Sequence, residues 1–173
     1  MKREEVLLYI SYNKLYLYRV RKKKEVIKKI NTSSFFKYGE IYDEERFIEC
    51  LDKYINENFL IKPNITILFN DICNYDIKFM YKYAFITLGY NKIKFISFTD
   101  IFKNNKNYNR LIICEKDKII DLSNKRHIND IKEVSFKPII IGNNKGNFIH
   151  YADEDYIYNT FKSYMLDNYF YKL

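Results

Sequence analysis

Residues Asn64 to Asn70 read NITILFN, a short and mostly apolar run rich in β-branched side chains. A strand with one wet face alternates apolar and polar residues. A run apolar almost throughout is the pattern of a strand covered on both faces, and therefore central in its sheet. Helical patterns stand on either side of it. Before it, Phe47, Ile48, Leu51, Tyr54 and Ile55 recur at helical spacing behind Asp43, which suits an N-cap, with Glu44 and Glu45 in the first turn where the helix dipole favours carboxylates. Pro63 stops that helix. After the strand, Asp76 is expected to cap a second helix with Ile77, Met80, Tyr81, Ala84, Phe85 and Leu88 on one face, and Gly89 sits where a left-handed C-terminal residue belongs. Ile93 to Phe98 is a further strand. Strand–helix–strand units imply parallel pairs joined by right-handed crossovers.

Three strands precede this unit. Val6 to Tyr12 and Leu15 to Arg21 form a hairpin turning at Asn13-Lys14, with Leu15 and Leu17 alternating with Tyr16 and Tyr18 on two distinct faces. Glu25 to Ile30 completes a meander, leaving the Lys-rich stretch between at an exposed turn. The polar, Asn-dense segment KNNKNYNR (Lys103 to Arg110) has no hydrophobic period and reads as a linker. Beyond it, Leu111 to Cys114 and Lys118 to Leu122 read as a hairpin around Glu115 to Asp117. Pro138 to Gly142 reads as a buried strand running into the turn residues GNNKG. Ala152 to Phe170, with Ile157, Phe161, Tyr164 and Met165 at helical spacing, reads as a closing helix. The expected organisation is α/β: residues 1–102 form a mixed sheet in the order βββαβαβ, 103–110 a linker, and 111–173 an abbreviated second αβ portion with a C-terminal helix. No exact internal repeat is present, only a similar ordering of elements in the two portions.

A chain of 173 residues fits one compact domain or two very small lobes. With 47% hydrophobic residues it has material for a core, and no run approaches the roughly 18 apolar residues of a membrane span. The start, MKREEVLLYISY, has an acidic pair and no small-residue cleavage site, so a secretory leader is not expected and a cytoplasmic location is. Cys50, Cys73 and Cys114 are widely spaced, without a Cys-x-x-Cys pair, and only His127 and His150 offer imidazole, so no metal site is expected.

The order over the first hundred residues resembles the ribonuclease H-like fold, which also builds each half of the actin-like ATPases. Its most specific part is NITILFNDICNYDIKFMYKYAFITLGYNKIKFISFTDIF, Asn64 to Phe102, which is similar to a segment of bacterial actin-like proteins of the MreB, FtsA and PilM types. Ala84, Leu88, Gly89 and Tyr90 hold places matching that family's helix end, and Phe98-Thr99-Asp100-Ile101 stands where the family has an acidic-proline pair. The family holds ATP on two hairpin loops of Asp-x-Gly type. The first hairpin here, Tyr9-Ile10-Ser11-Tyr12-Asn13, has neither Asp nor Gly, and the second, Ile112-Ile113-Cys114-Glu115-Lys116, has no Gly. Only Ile141-Gly142-Asn143-Asn144 is similar to the family's adenosine-contacting motif. The resemblance thus implies a degenerate, shortened relative with no catalytic residues, no cofactor and no metal, a non-enzymatic scaffold or assembly protein.

A ribonuclease H-type nuclease needs clustered carboxylates around two Mg²⁺ ions. Glu49 and Asp71 are suitably placed, but the first strand, VLLYISY, offers no acid at its centre. The remaining candidates are surfaces. Arg19, Arg21, Lys22, Lys23, Lys24, Lys28 and Lys29 form the densest charge feature of a chain with net charge +8, suited to a protein partner or to nucleic acid, the alternative function. An AT-rich genome, which favours Lys, Asn, Ile, Tyr and Phe over Ala (only Ala84 and Ala152 are alanines), would account for the same basic balance without a polyanion partner. Tyr156, Tyr164, Tyr169 and Phe170 form an aromatic tail, a candidate partner-binding face because Tyr is enriched at interfaces.

Overall fold

The computed structural model describes residues 3–11, 13–37, 40–71, 76–102, 110–115, 118–121, 126–129, 138–141 and 151–171. In chain order these form β1 (Glu5–Ile10), β2 (Lys14–Arg19), β3 (Lys24–Lys29), a 3₁₀ turn (Thr32–Ser34), β4 (Phe36–Lys37), β5 (Glu40–Ile41), α1 (Glu44–Asn58), β6 (Asn64–Phe69), α2 (Ile77–Thr87), β7 (Ile93–Ser97) and α3 (Phe98–Phe102). There follow β8 (Arg110–Glu115), β9 (Lys118–Asp121), β10 (Arg126–Ile128), β11 (Pro138–Ile141), β12 (Tyr151–Ala152) and α4 (Glu154–Asn168). The chain divides into two units, one of Met1–Phe98 with Lys162–Leu173 and one of Thr99–Phe161, so α4 begins in the second and ends in the first.

The first unit is a five-stranded sheet in the order β3-β2-β1-β6-β7, antiparallel across β3, β2 and β1 and parallel from β1 through β6 to β7. Val6, Leu8, Ile10, Leu15, Leu17, Ile65 and Ile67 point to one face and form a single core with Phe47, Leu51, Tyr54 and Ile55 of α1 and Ile77, Tyr81, Ala84 and Phe85 of α2. Tyr54 pins α1 down, its hydroxyl donating to Val26 O at 3.0 Å. The opposite face is buried too: Leu7, Tyr9, Tyr16, Tyr18, Leu68 and Ile96 lie on it, and Tyr9 stacks on its register partner Tyr16 with centroids 5.6 Å apart. The last turns of α4 cross this second face, with Lys162 bonded to Glu25 of β3 and Tyr169 against Lys94 of β7. Coverage on both faces explains the continuous apolar run of β6.

Two helix ends follow the sequence and one does not. Asp43 Oδ1 accepts the Arg46 N–H at 3.2 Å, the N-cap expected of α1. Gly89, at φ +81°, closes α2: its N–H donates to Ile86 O, the Tyr90 N–H donates to Phe85 O, and the Tyr90 ring meets Phe85 edge-on at 5.6 Å. Lys62 reaches the same end and donates to Leu88 O. Asp76 forms no side-chain cap, because its own φ and ψ (−81°, −11°) are already helical and its backbone carbonyl takes the first bonds instead.

The second unit carries a sheet in the order β10-β9-β8-β11-β12, antiparallel across β10, β9 and β8 and parallel from β8 through β11 to β12. Order and directions repeat those of the first sheet. This is the mixed sheet of a ribonuclease H-like, actin-like fold, the second portion being the shorter. The expected linker lies, at 103–109, outside the described residues, and Arg110 already belongs to β8. β4, β5, β10 and β12 were not expected from the sequence. They span two or three residues each, too few to show a period.

Candidate functional site

The hairpin turn between β1 and β2 is closed on itself. The Ser11 N–H donates to Lys14 O at 2.9 Å, and the Lys14 N–H donates to Ser11 Oγ at 3.2 Å. Thr32 of the 3₁₀ turn donates to Ser11 O at 3.2 Å, with Ser11 and Thr32 both buried. Two main-chain donors of the kind that would face a phosphate are therefore spent inside the turn. Tyr12 and Gly142 lie outside the described residues.

The basic cluster divides by environment. Arg19 is clamped by Glu4, Nε to Oε1 at 2.8 Å and Nη2 to Oε2 at 2.6 Å, and its guanidinium lies 4.8 Å from the Phe59 ring centroid. The guanidinium holds the Glu4 carboxyl below the usual carboxylate range. Lys28 donates to Glu57 at 2.8 Å and lies over the Tyr54 ring. Arg21, Lys22, Lys23, Lys24 and Lys29 are exposed, the first four at the β2–β3 turn, where Lys23 takes φ +49°.

The aromatic tail divides as well. Tyr156, in the second unit, stacks on Phe102 at 6.4 Å and 6°. Tyr164 and Tyr169, in the first unit, tilt against each other at 6.1 Å. Tyr169 and Phe170 line an open groove of about 740 Å³ at the start of the parallel strands, together with Glu5 of β1, Asn64 to Thr66 of β6, Ile93 to Phe95 of β7, Lys82 and Ile86 of α2, and the α2–β7 loop. Lys94 Nζ sits 3.1 Å from the Tyr169 ring centroid. Glu5 is the one carboxylate among the lining residues, and Asn64 Nδ2 donates to it at 2.7 Å.

A feature the sequence reading passed over adjoins this groove. Phe79, Tyr83 and Ile86 are 68%, 61% and 54% exposed, and their spacing of four and three residues aligns them as one stripe on the outer side of α2. Ile86 also lines the groove, so stripe and groove form one surface. The signal was in the sequence: α2 is apolar around most of its circumference, broken mainly by Lys78 and Lys82, which exceeds what one buried face needs.

Among the described residues, no three His, Cys, Asp or Glu side chains gather as a metal site would require. Glu49 is exposed on α1, and Asp71 is half-buried just after β6. Cys50 is a free, half-buried cysteine whose thiol burial pushes up, leaving little thiolate at neutral pH. Among the described residues, no helix is long and apolar enough to cross a membrane.

No family model and no curated protein matches the sequence. Solved structures with a partial likeness to the chain include ADP-bound MreB5 of Spiroplasma citri (8% identity, TM-score 0.47, covering 73% of this chain and 50% of that one). The ethanolamine utilization protein EutJ from Carboxydothermus hydrogenoformans matches at 8% identity and TM-score 0.43, over 69% of this chain and 46% of that one. The Ppx/GppA family member of Aquifex aeolicus matches at 10% identity and TM-score 0.38, over 69% and 46%. The chain spans about half the length of these proteins.

Proposed function

We propose that this chain is a non-enzymatic, cytoplasmic binding component, a degenerate relative of the actin-like ATPases that holds a protein partner and does not turn over nucleotide. The observation that carries this reading is the surface formed by Phe79, Tyr83 and Ile86 with the groove beside them. Contiguous exposed apolar area rimmed by polar residues marks interaction sites. The closed Ser11–Lys14 turn supports the loss of the phosphate loop, and the free thiol of Cys50 fits a reducing compartment.

The test uses the full chain and its Phe79→Glu/Tyr83→Glu variant as baits in extract of the source cells, with circular dichroism confirming that the variant is folded. One protein held in stoichiometric amount by the native chain and released by the variant is expected. A partner held equally by both, or none, overturns the reading, as does saturable Mg²⁺·ATP binding below about 1 mM with turnover.

The second reading, nucleic-acid binding, draws on the exposed cations Arg21, Lys22, Lys23, Lys24 and Lys29. It requires binding that weakens steeply with salt and falls when Lys22 to Lys24 are neutralised.

A further inference from the structure

We propose that the outer edge of β7, with the groove beside it, takes up an extended acidic segment of the partner protein as an added strand of the first sheet. This rests on the reading that this face holds a protein, and it names the chemistry of what is held.

β7 ends the strand order among the described residues, so no described strand pairs with its outer side over Ile93 to Ile96. Such an edge recruits a strand by backbone pairing, with specificity from the side chains on either side of it. Those side chains are of two kinds. Ile93 and Phe95 lie towards α2, and Tyr169 lies beneath Lys94 with Phe170 also lining the groove, which gives apolar seats to alternate residues of an added strand. Lys82, Lys92 and Lys94 supply the charge, and the single carboxylate lining the groove, Glu5, is already engaged by Asn64.

The charge selects the occupant. A second copy pairing β7 to β7 about a two-fold axis would bring Lys92 and Lys94 against themselves, and pairing β7 to β3 would bring them against Lys24, Lys28 and Lys29. Edge lysines turn away neutral and basic strands for the same reason. A strand alternating carboxylates with apolar residues gains from both surfaces, so the same lysines admit one partner and reject others.

The test measures fluorescence anisotropy of a labelled peptide alternating Glu with Val and Phe, titrated with the full chain. Three controls accompany it: the Lys-for-Glu peptide, the Glu peptide N-methylated on alternate amides, and the Lys92→Glu/Lys94→Glu chain. Both substituted positions are exposed, and circular dichroism checks the fold. Saturable binding of the Glu peptide is expected, weakened roughly tenfold by the charge reversal and again by raising salt from about 50 to about 500 mM, with neither control peptide binding. Three results overturn the proposal: no saturation by the Glu peptide, equal binding of the Glu and Lys peptides, or undiminished binding by the reversed chain. If a partner released by Phe79→Glu/Tyr83→Glu is retained by Lys92→Glu/Lys94→Glu, this proposal falls while the protein-holding reading stands. If neither variant releases anything, both fall.

Discussion

At the β3 side of the first sheet, Arg19 is held by Glu4, Lys28 by Glu57, and Glu25 by Lys162. At the β7 side, Lys94 lies over the Tyr169 ring, and Lys82 and Lys92 rim a groove whose one carboxylate is taken by Asn64. Both sides belong to one sheet in one Lys-rich chain, so composition does not distinguish them. Their neighbours do. Cations paired with the protein's own acids spend their field on the fold, whereas the groove lysines, with no acid bonded to them among the described residues, keep theirs for something outside.

Helix α2 presents a buried side and an exposed one. Phe85 is fully buried against Tyr90, so Phe85→Ala is expected to cost about 3–5 kcal/mol in denaturant unfolding and to remove the platform. Tyr83→Ala, on the outer stripe, is expected to change stability by no more than about 0.5 kcal/mol while weakening partner capture. Equal costs for the two would mean that the stripe is packed in solution.

Gly89→Ala comes next. Its φ of +81° and the approach of Lys62 Nζ to within 2.7 Å of an added Cβ predict a loss of about 1–2 kcal/mol, seen as a lower thermal midpoint. On the β3 side, Glu4→Gln is expected to cost about 1 kcal/mol, as a partly exposed bidentate pair would. The sign with pH follows from Glu4 being lowered in the folded state: the pair contributes fully above about pH 4.5 and is lost as pH falls below it, so native and variant stabilities should converge in acid. The smallest effect belongs to Lys22→Gln/Lys23→Gln/Lys24→Gln, within about 0.5 kcal/mol of native, because these side chains are exposed. A steep drop in salt-sensitive DNA or RNA binding in that variant would move function to the β3 side.

Much of the first unit was legible because its elements are long enough to show a period. The stripe Phe47, Leu51, Tyr54 and Ile55 marked α1, the uninterrupted run of β6 marked a strand buried on both faces, and Gly89 marked the end of α2. The second sheet's repetition of the first was legible only as a similar ordering, because β10 and β12 are too short to register. The surface at β7 was the hardest to read. It joins residues from β1, β6, β7, α2 and the chain's last residues, and no local pattern announces a groove assembled from segments more than a hundred positions apart. The densest run of charge, Arg19 to Lys29, is conspicuous in the sequence, yet Arg19 and Lys28 have acidic partners, Glu4 and Glu57, that lie far off along the chain.

The most direct measurement places a photo-cross-linking phenylalanine at Tyr83 on α2 and, in a separate chain, at Ile27 on β3, two exposed positions on opposite sides of the sheet. Irradiated in the source cells, the chain derivatised at position 83 is expected to give one discrete adduct with another protein, and the chain derivatised at position 27 none. An adduct from position 27 alone, or the same adduct from both, would contradict the account.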